Sequence, residues 1–97
     1  MRPLTTDLAR EDLRPYFFWD EDTSIAELRA APVAEPREER LRLLGKMLRE
    51  ARDTDVWLFV RPQDVADLLP ELGRHLGKRR RFWEYVIERW RAHGFVR

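Results

Sequence analysis

The stretch PREERLRLLGKMLREARD, residues 36–53, decides the fold class of this 97-residue chain. Leu41, Leu44 and Leu48 recur at i, i+3 and i+7, which places them on one stripe of a helix. Glutamates stand at its start and arginines at its end, where each complements the helix dipole. The stretch therefore predicts an amphipathic α-helix with Pro36 at its first position, where the missing N–H costs nothing.

Two shorter helices are predicted before it. In residues 5–14, Thr6 or Asp7 is suited to the N-cap, and the helix must end before Pro15 because proline drives its preceding residue out of the α region. The second helix follows Ser24, which stands three residues before Glu27 as in a capping box. We also expect residues 1–12 to be a candidate mobile segment and residues 32–36 to be an extended, proline-rich linker.

The C-terminal half predicts two further helices, in residues 62–76 and 78–94. Pro62 suits the first position of the earlier helix, and Pro70 within it marks the start of a second short turn. The later helix has an apolar row at i, i+4 and i+8, followed by a glycine where a C-terminal cap belongs. The row consists of Phe82, Val86 and Trp90, and the glycine is Gly94.

Residues 54–60 are ambiguous between helix and strand. The β-branched and aromatic run Val56–Val60 favours a strand, but a single strand of this length has no evident partner in the chain. Asp53 and Asp55 resemble an N-cap cluster, so we interpret the segment as a helical turn. The whole pattern predicts an all-α fold: one compact domain, residues 1–97, of four to five short helices.

Composition limits the chemistry and the cellular location that we expect for this domain. The chain is 43% hydrophobic, which is enough for a core, and it has no cysteine, which excludes disulfides and thiol chemistry. The opening residues MRPLTTDLAR lack the apolar run of a signal peptide, and no stretch approaches the ~18 apolar residues of a membrane span. We therefore expect a cytoplasmic protein that does not bind membranes.

The stretch RPYFFWDEDTS, residues 14–24, sets four aromatic residues directly before three acids. Four consecutive aromatic side chains cannot all face solvent without forming an aggregation-prone patch, so we interpret them as a core anchor followed by a turn. A hook for a protein partner is the alternative. A metal site is a weaker one, because three consecutive carboxylates supply few of the converging oxygens that a hard cation needs. The candidate partner-binding residues here are Asp20, Glu21 and Asp22.

Residues 74–97 carry eight basic side chains against two glutamates, although the whole chain has 19 basic and 18 acidic residues. The simplest interpretation is a solvated helix face with ion pairs along the helix. A nucleic-acid surface, with Trp83, Tyr85 or Trp90 stacking on bases, and a protein-binding surface are the alternatives. The candidate partner-binding residues in this run are Lys78, Arg79, Arg80 and Arg81.

No catalytic constellation is visible in the sequence. His75 and His93 have no nearby serine, and no glycine loop or metal-ligand spacing is present. We expect no catalytic residues, no cofactor and no metal. A helix-turn-helix is also disfavoured, because the candidate recognition helix after Pro62 exposes several acids that would repel DNA phosphates.

Three stretches, PYFFWDED, LREARDTDVWLFVRPQDV and LGKRRRFWEYVIERWRAHGFV, resemble a family of small bacterial proteins. Its members share an aromatic-Trp-Asp opening, a Leu-Arg-Glu-Ala-Arg…Asp-Val-Trp middle and a Leu-Gly-Arg-Arg…Phe-Trp ending. The similarity extends over residues 13–96. The matching positions are Phe18, Trp19, Asp20, Arg49, Glu50, Ala51, Arg52, Asp55, Val56, Trp57, Gly77, Phe82 and Trp83.

The resemblance implies a partner and no chemistry. The family has no established activity, so it supplies no catalytic residues, and its members are often encoded beside nucleotidyltransferase-like toxins of the abortive-infection type. The leading hypothesis is therefore a non-enzymatic binding module that acts as an antitoxin-like or accessory partner of such a toxin. The alternative is a small DNA-binding regulator that uses the basic C-terminal helix.

Overall fold

Four α-helices, joined by 3₁₀ turns, build the chain, which a computed structural model describes over all of residues 1–97. The predicted all-α fold class is confirmed. No helix has both the length and the apolar character needed to cross a lipid bilayer. The α-helices are α1 (Ile25–Arg29), α2 (Arg37–Glu50), α3 (Pro62–Leu72) and α4 (Arg80–Ala92). The 3₁₀ turns are Ala31–Val33, Asp55–Leu58, Gly73–His75 and Gly77–Arg79.

The N-terminal segment is not helical, so the helix predicted in residues 5–14 is wrong. Two two-residue strands, β1 (Leu4–Thr5) and β2 (Arg14–Pro15), pair in parallel instead. Between them, the Thr5 hydroxyl accepts a hydrogen bond from the Asp7 N–H at 2.9 Å, and the Asp7 carboxylate accepts one from the Ala9 N–H at 3.2 Å. Such local side-chain bonds compete with the backbone bonds of a helix.

The helix starts follow the local signals. Ser24 and Glu27 form the predicted capping box, in which each side chain accepts a 3.1 Å hydrogen bond from the other residue's backbone N–H. Pro36 is the N-cap of α2 and so lies one residue earlier than predicted. The connection before it is only partly extended, because Ala31–Val33 forms a 3₁₀ turn.

Residues 54–60 contain a helical turn, as interpreted: a 3₁₀ turn at Asp55–Leu58. Pro62 begins α3 as predicted. Pro70 does not start a separate turn, since α3 continues through it to Leu72. The break comes instead at Gly73, where a 3₁₀ turn follows.

The core lies between α2, α3 and α4 and extends to α1 and to Phe17 and Phe18. Helix α2 contributes the predicted leucine stripe, and all of its members are buried. On α4 the centre of the buried face is offset by one residue from the prediction. Trp83 and Ile87 are fully buried, whereas the row Phe82, Val86 and Trp90 packs against the core at half-buried positions. That row therefore remains partly accessible at the edge of the helix.

Gly94 closes α4 as predicted, with φ of +78°. Its N–H donates to the Arg91 carbonyl at 3.2 Å, and the Phe95 N–H donates to the Trp90 carbonyl at 2.9 Å. These two bonds define a Schellman motif, whose left-handed residue is usually glycine because it lacks a Cβ. The motif turns the chain back along α4 and sets Phe95 beside Trp90.

Candidate binding surface

The aromatic block is an anchor for three of its four members. Phe17 and Phe18 are buried, and Tyr16 is half-buried, whereas Trp19 is 64% exposed. Arg14 holds this arrangement from inside, since its guanidinium donates to the carbonyl oxygens of Phe18 at 3.1 Å, Trp19 at 3.2 Å and Glu21 at 3.3 Å. The predicted core anchor is confirmed for the buried phenylalanines, and Trp19 points outward.

The acidic turn, Asp20–Asp22, is occupied by intramolecular ion pairs. The nearly buried ammonium of Lys46 contacts Asp20 and lies 3.1 Å from Glu21. Glu21 also binds Arg42 at 2.9 Å. Asp22 accepts a 3.0 Å hydrogen bond from the backbone N–H of Arg2.

These contacts change the acidity of two of the carboxyl groups. The hydrogen bond from Lys46 holds the pKa of Asp20 below its ordinary value of 3.8. The backbone N–H of Arg2 lowers the pKa of Asp22 in the same way. Since Asp20, Glu21 and Asp22 already have cationic or N–H partners, any external partner would have to compete with these contacts.

The basic run divides into two pairs. Arg79 binds Asp53 and lies over the Phe82 ring, 4.2 Å from its centroid, and Arg80 binds Glu84 at 3.3 Å. Lys78 and Arg81 are exposed and form no ion pair within the molecule. Of the four residues predicted in this run, only Lys78 and Arg81 are free to bind an external anion.

Arg81 is the first member of a larger feature that we term the basic row. The basic row is Arg81, Tyr85 and Arg89, spaced at i, i+4 and i+8 on the solvent face of α4. Tyr85 is 62% exposed, and neither arginine forms an ion pair. Residues at this spacing lie one above the other on a helix, so the row is a continuous stripe. Glu88 is exposed on the same side of the helix.

An aromatic groove lies at the C-terminal end of α4. Its lining is Pro62, Trp90 and Phe95, and its volume is about 390 Å³. Phe95 is 74% exposed, although it is held by the Schellman motif. The half-buried row Phe82, Val86 and Trp90 runs along α4 into this groove. An exposed aromatic side chain at a fixed backbone position is suited to contact another molecule.

The imidazole rings of both histidines make their polar and aromatic contacts with residues near them in sequence. Nε2 of His75 lies 3.3 Å from Nε of Arg74, and the ring of His93 is 6.3 Å from that of Phe95. No three side chains of the His, Cys, Asp and Glu types are gathered as they would be around a metal ion. Basic side chains that form no ion pair within the molecule are concentrated in the basic row and in Lys78 just before it.

Sequence reasoning missed Arg89 and Phe95 as surface residues. Arg89 carries a visible signal, because Arg81, Tyr85 and Arg89 repeat every four residues along a predicted helix. Phe95 carries a weaker one, since an apolar residue that follows a glycine C-cap commonly contacts the last helical turn. Its remaining exposure depends on the packing of α3 against α4.

Fold and surface together define a class: a small all-α domain with one exposed basic helix face beside an aromatic groove. The chain matches no protein-family profile, no curated protein and no solved structure.

Proposed function

We propose that this chain is a non-enzymatic binding module that acts as an antitoxin-like or accessory partner of a nucleotidyltransferase-type toxin. The observation that carries the proposal is the basic row. Its two arginines are exposed and without an internal partner, whereas most other charged side chains of the chain form ion pairs. Unpaired arginines aligned on a rigid helix are suited to bind carboxylates of a second protein.

Arginine is well suited to inhibit such a partner. A nucleotidyltransferase pocket carries acidic metal ligands, and the planar guanidinium can bind a carboxylate through two parallel hydrogen bonds. Blocking those carboxylates requires no chemistry from the inhibitor. The resemblance to proteins encoded beside nucleotidyltransferase-like toxins supports this choice of partner.

The acidic turn is the other candidate surface, because its carboxylates could mimic phosphate and bind in a basic substrate pocket. The internal pairs with Lys46, Arg42 and Arg2 weigh against it, because each would have to break before an external cation could bind. We therefore assign the contact to the basic row.

Coexpression with a nucleotidyltransferase-like toxin of the abortive-infection type tests the proposal. We expect a stoichiometric complex that survives nuclease treatment and size-exclusion chromatography. The double variant Arg81→Glu, Arg89→Glu should weaken the complex at least about tenfold, since like charges would face the acidic partner. Arg10→Glu, Arg52→Glu changes the net charge equally at exposed positions outside α4 and should bind like the wild type. A complex that is equally insensitive to both double variants would overturn the assignment.

A DNA-binding regulator is the second candidate, because a basic row with a central tyrosine can also contact a phosphate backbone. Exposed acids such as Asp67 and Glu71 on α3 disfavour it, because they would repel DNA phosphates. Mobility-shift titrations with duplex DNA at several salt concentrations decide between the candidates. If the surface makes three phosphate contacts, a plot of the logarithm of the binding constant against the logarithm of the salt concentration has a slope of about −3. Specific binding with that slope, and no protein complex, would favour the regulator.

A further inference from the structure

We propose that the basic row and the aromatic groove together bind an acidic amphipathic helix of the partner protein. The inference rests on the proposed function as a protein-binding module and specifies what that module recognises. An apolar side chain of the partner helix enters the groove at Pro62, Trp90 and Phe95. Two carboxylates of that helix, two turns apart, reach Arg81 and Arg89.

The apolar half of this surface is continuous. Phe82, Val86 and Trp90 are half-buried at i, i+4 and i+8, so one edge of each side chain reaches solvent. The row ends in the groove, an open depression lined by three residues against which a leucine or aromatic side chain can pack. Helices that dock into apolar grooves present anchors at i, i+3, i+4 and i+7, a spacing that matches a row of this geometry.

The charged half runs parallel to the apolar half. Tyr85 follows Phe82 by three residues, and Arg89 follows Val86 by three. Residues at this spacing are neighbours on a helix, so the two stripes lie side by side on α4. Arg81 and Arg89 are about 12 Å apart along the helix axis, at about 1.5 Å per residue. Acidic residues two turns apart on a partner helix have nearly the same separation. Such a helix can therefore satisfy both arginines while its apolar face covers Phe82, Val86 and Trp90.

The Schellman motif fixes the backbone of one residue that lines the groove, Phe95. The hydrogen bond from the Phe95 N–H to the Trp90 carbonyl, at 2.9 Å, fixes the backbone of Phe95 relative to α4. An aromatic anchor whose backbone is already positioned loses less freedom on binding than one on a mobile segment. The backbone of Phe95 is therefore in place before the partner binds.

Two other occupants fit this surface less well. A nucleic acid would leave half of the surface unused, because an apolar groove offers nothing to a phosphate backbone. A second copy of this chain has two exposed helical carboxylates without an ion pair, Asp67 and Glu88, but they lie on different helices rather than two turns apart on one. An acidic amphipathic helix from another protein matches both halves of the surface.

Selection from a peptide library tests the inference directly. The full-length chain is used to select from displayed helical peptides of about 14 residues, or about four turns, with all outward positions randomised. We expect the selected peptides to share apolar residues at i, i+3 or i+4 and i+7, flanked by Asp or Glu two turns apart. Binding to the ¹⁵N-labelled chain should shift the amide signals of α4 and of residues 94–96.

Matched variants identify the groove. Phe95→Ser should weaken the selected peptides at least about tenfold, as expected for a central aromatic anchor. Trp19→Ser removes an aromatic side chain of comparable exposure at the other end of the sequence and should leave binding unchanged. Circular dichroism verifies that both variants are folded. Replacing the acids of a selected peptide with Gln should cost a similar factor.

Each contrary outcome has a distinct meaning. Selected peptides without acidic enrichment, peptides that bind away from α4, or an empty selection would overturn the inference. A toxin complex that Phe95→Ser does not weaken, and that a selected peptide does not displace, would also overturn it while leaving the proposed function intact. Absence of the toxin complex, together with acidic amphipathic peptides bound at α4, would count against the toxin as partner and support the described surface.

Discussion

The indole Nε1 of Trp83 donates a 2.8 Å hydrogen bond to the backbone carbonyl of Leu48, near the C-terminal end of α2. In a longer helix, the N–H of Arg52 would reach this carbonyl, but that N–H donates to the Tyr16 hydroxyl at 2.9 Å instead. Trp83 therefore satisfies a buried carbonyl that the helix itself leaves without a partner. The same side chain fills the core and caps α2 from α4.

Trp83→Phe should lower the free energy of unfolding by about 2–3 kcal/mol, because a buried acceptor is left unsatisfied and a small cavity opens. Urea denaturation followed by circular dichroism measures this loss. Trp19→Phe is the matched control, since Trp19 is exposed and should change stability by less than about 0.5 kcal/mol. Equal effects of the two substitutions would contradict the capping role of Trp83.

Tyr16→Phe should loosen the junction between α2 and the turn at Asp55. The Tyr16 hydroxyl donates to the Asp55 carboxylate at 2.5 Å and accepts from the backbone N–H of Arg52. Burial, and to a smaller extent the bond to Asp55, raises the pKa of Tyr16. We expect a loss of about 1–2 kcal/mol and faster hydrogen exchange of the Arg52 amide. Tyr85→Phe, at an exposed position, should alter neither quantity. Unchanged exchange at Arg52 in the first variant would rule out this cap.

Gly45→Ala should destabilise the protein, although alanine is normally preferred over glycine inside a helix by about 1 kcal/mol. A Cβ at this position of α2 would clash with the Cβ of His75, which belongs to the 3₁₀ turn after α3. We expect a loss of about 1–3 kcal/mol in thermal or urea unfolding, as for other overpacked sites.

The double-mutant cycle with His75→Gly isolates this contact. His75→Gly removes the opposing Cβ, so Gly45→Ala in that background should be neutral or stabilising. An equal cost of Gly45→Ala in both backgrounds would place its cause elsewhere than the contact with His75.

Stability should fall as the pH drops below about 4. The pKa values of Asp20, Asp22 and Glu39 are lowered in the folded protein, by Lys46, the Arg2 N–H and Arg42 respectively. The folded state therefore binds fewer protons than the unfolded state near their ordinary values of 3.8 to 4.5. Their contribution is complete above that range and is lost as pH falls through the lowered values.

Urea midpoints measured between about pH 6 and pH 2 check this dependence. Asp20→Asn should flatten the acid side of the profile, because one of the carboxylates that must be protonated is gone. Glu88→Gln removes an exposed carboxylate that makes no ion pair and should leave the steepness unchanged. A profile that Asp20→Asn does not flatten would show that the Lys46 contact contributes nothing to acid stability.

Much of the fold was accessible from the sequence because its signals are local. The leucine stripe of α2, the Ser24 and Glu27 capping box, Pro62 at the start of α3 and Gly94 after α4 all lie where they were expected. Each depends on residues within about one or two helical turns, so the sequence order places the interacting groups together.

The candidate surface was only partly accessible for the opposite reason. The acidic turn and the basic run were both visible as charge clusters, but their availability depends on partners far along the chain. Lys46 is 26 residues from Asp20, and Asp53 is 26 residues from Arg79. Charge spacing alone cannot show which side chains are neutralised in this way.

By itself, the sequence determined that the chain forms amphipathic helices, where most of them begin and end, and that its C-terminal end is basic. Only the tertiary structure decided that residues 4–5 pair with residues 14–15, that Trp83 and Ile87 rather than the neighbouring row form the centre of the buried face of α4, and that Arg81 and Arg89 remain unpaired. This difference between what the sequence determined and what the tertiary structure decided has one physical cause. Helix periodicity and capping are interactions between neighbours in sequence, whereas burial and ion pairing depend on which surfaces meet when the helices pack.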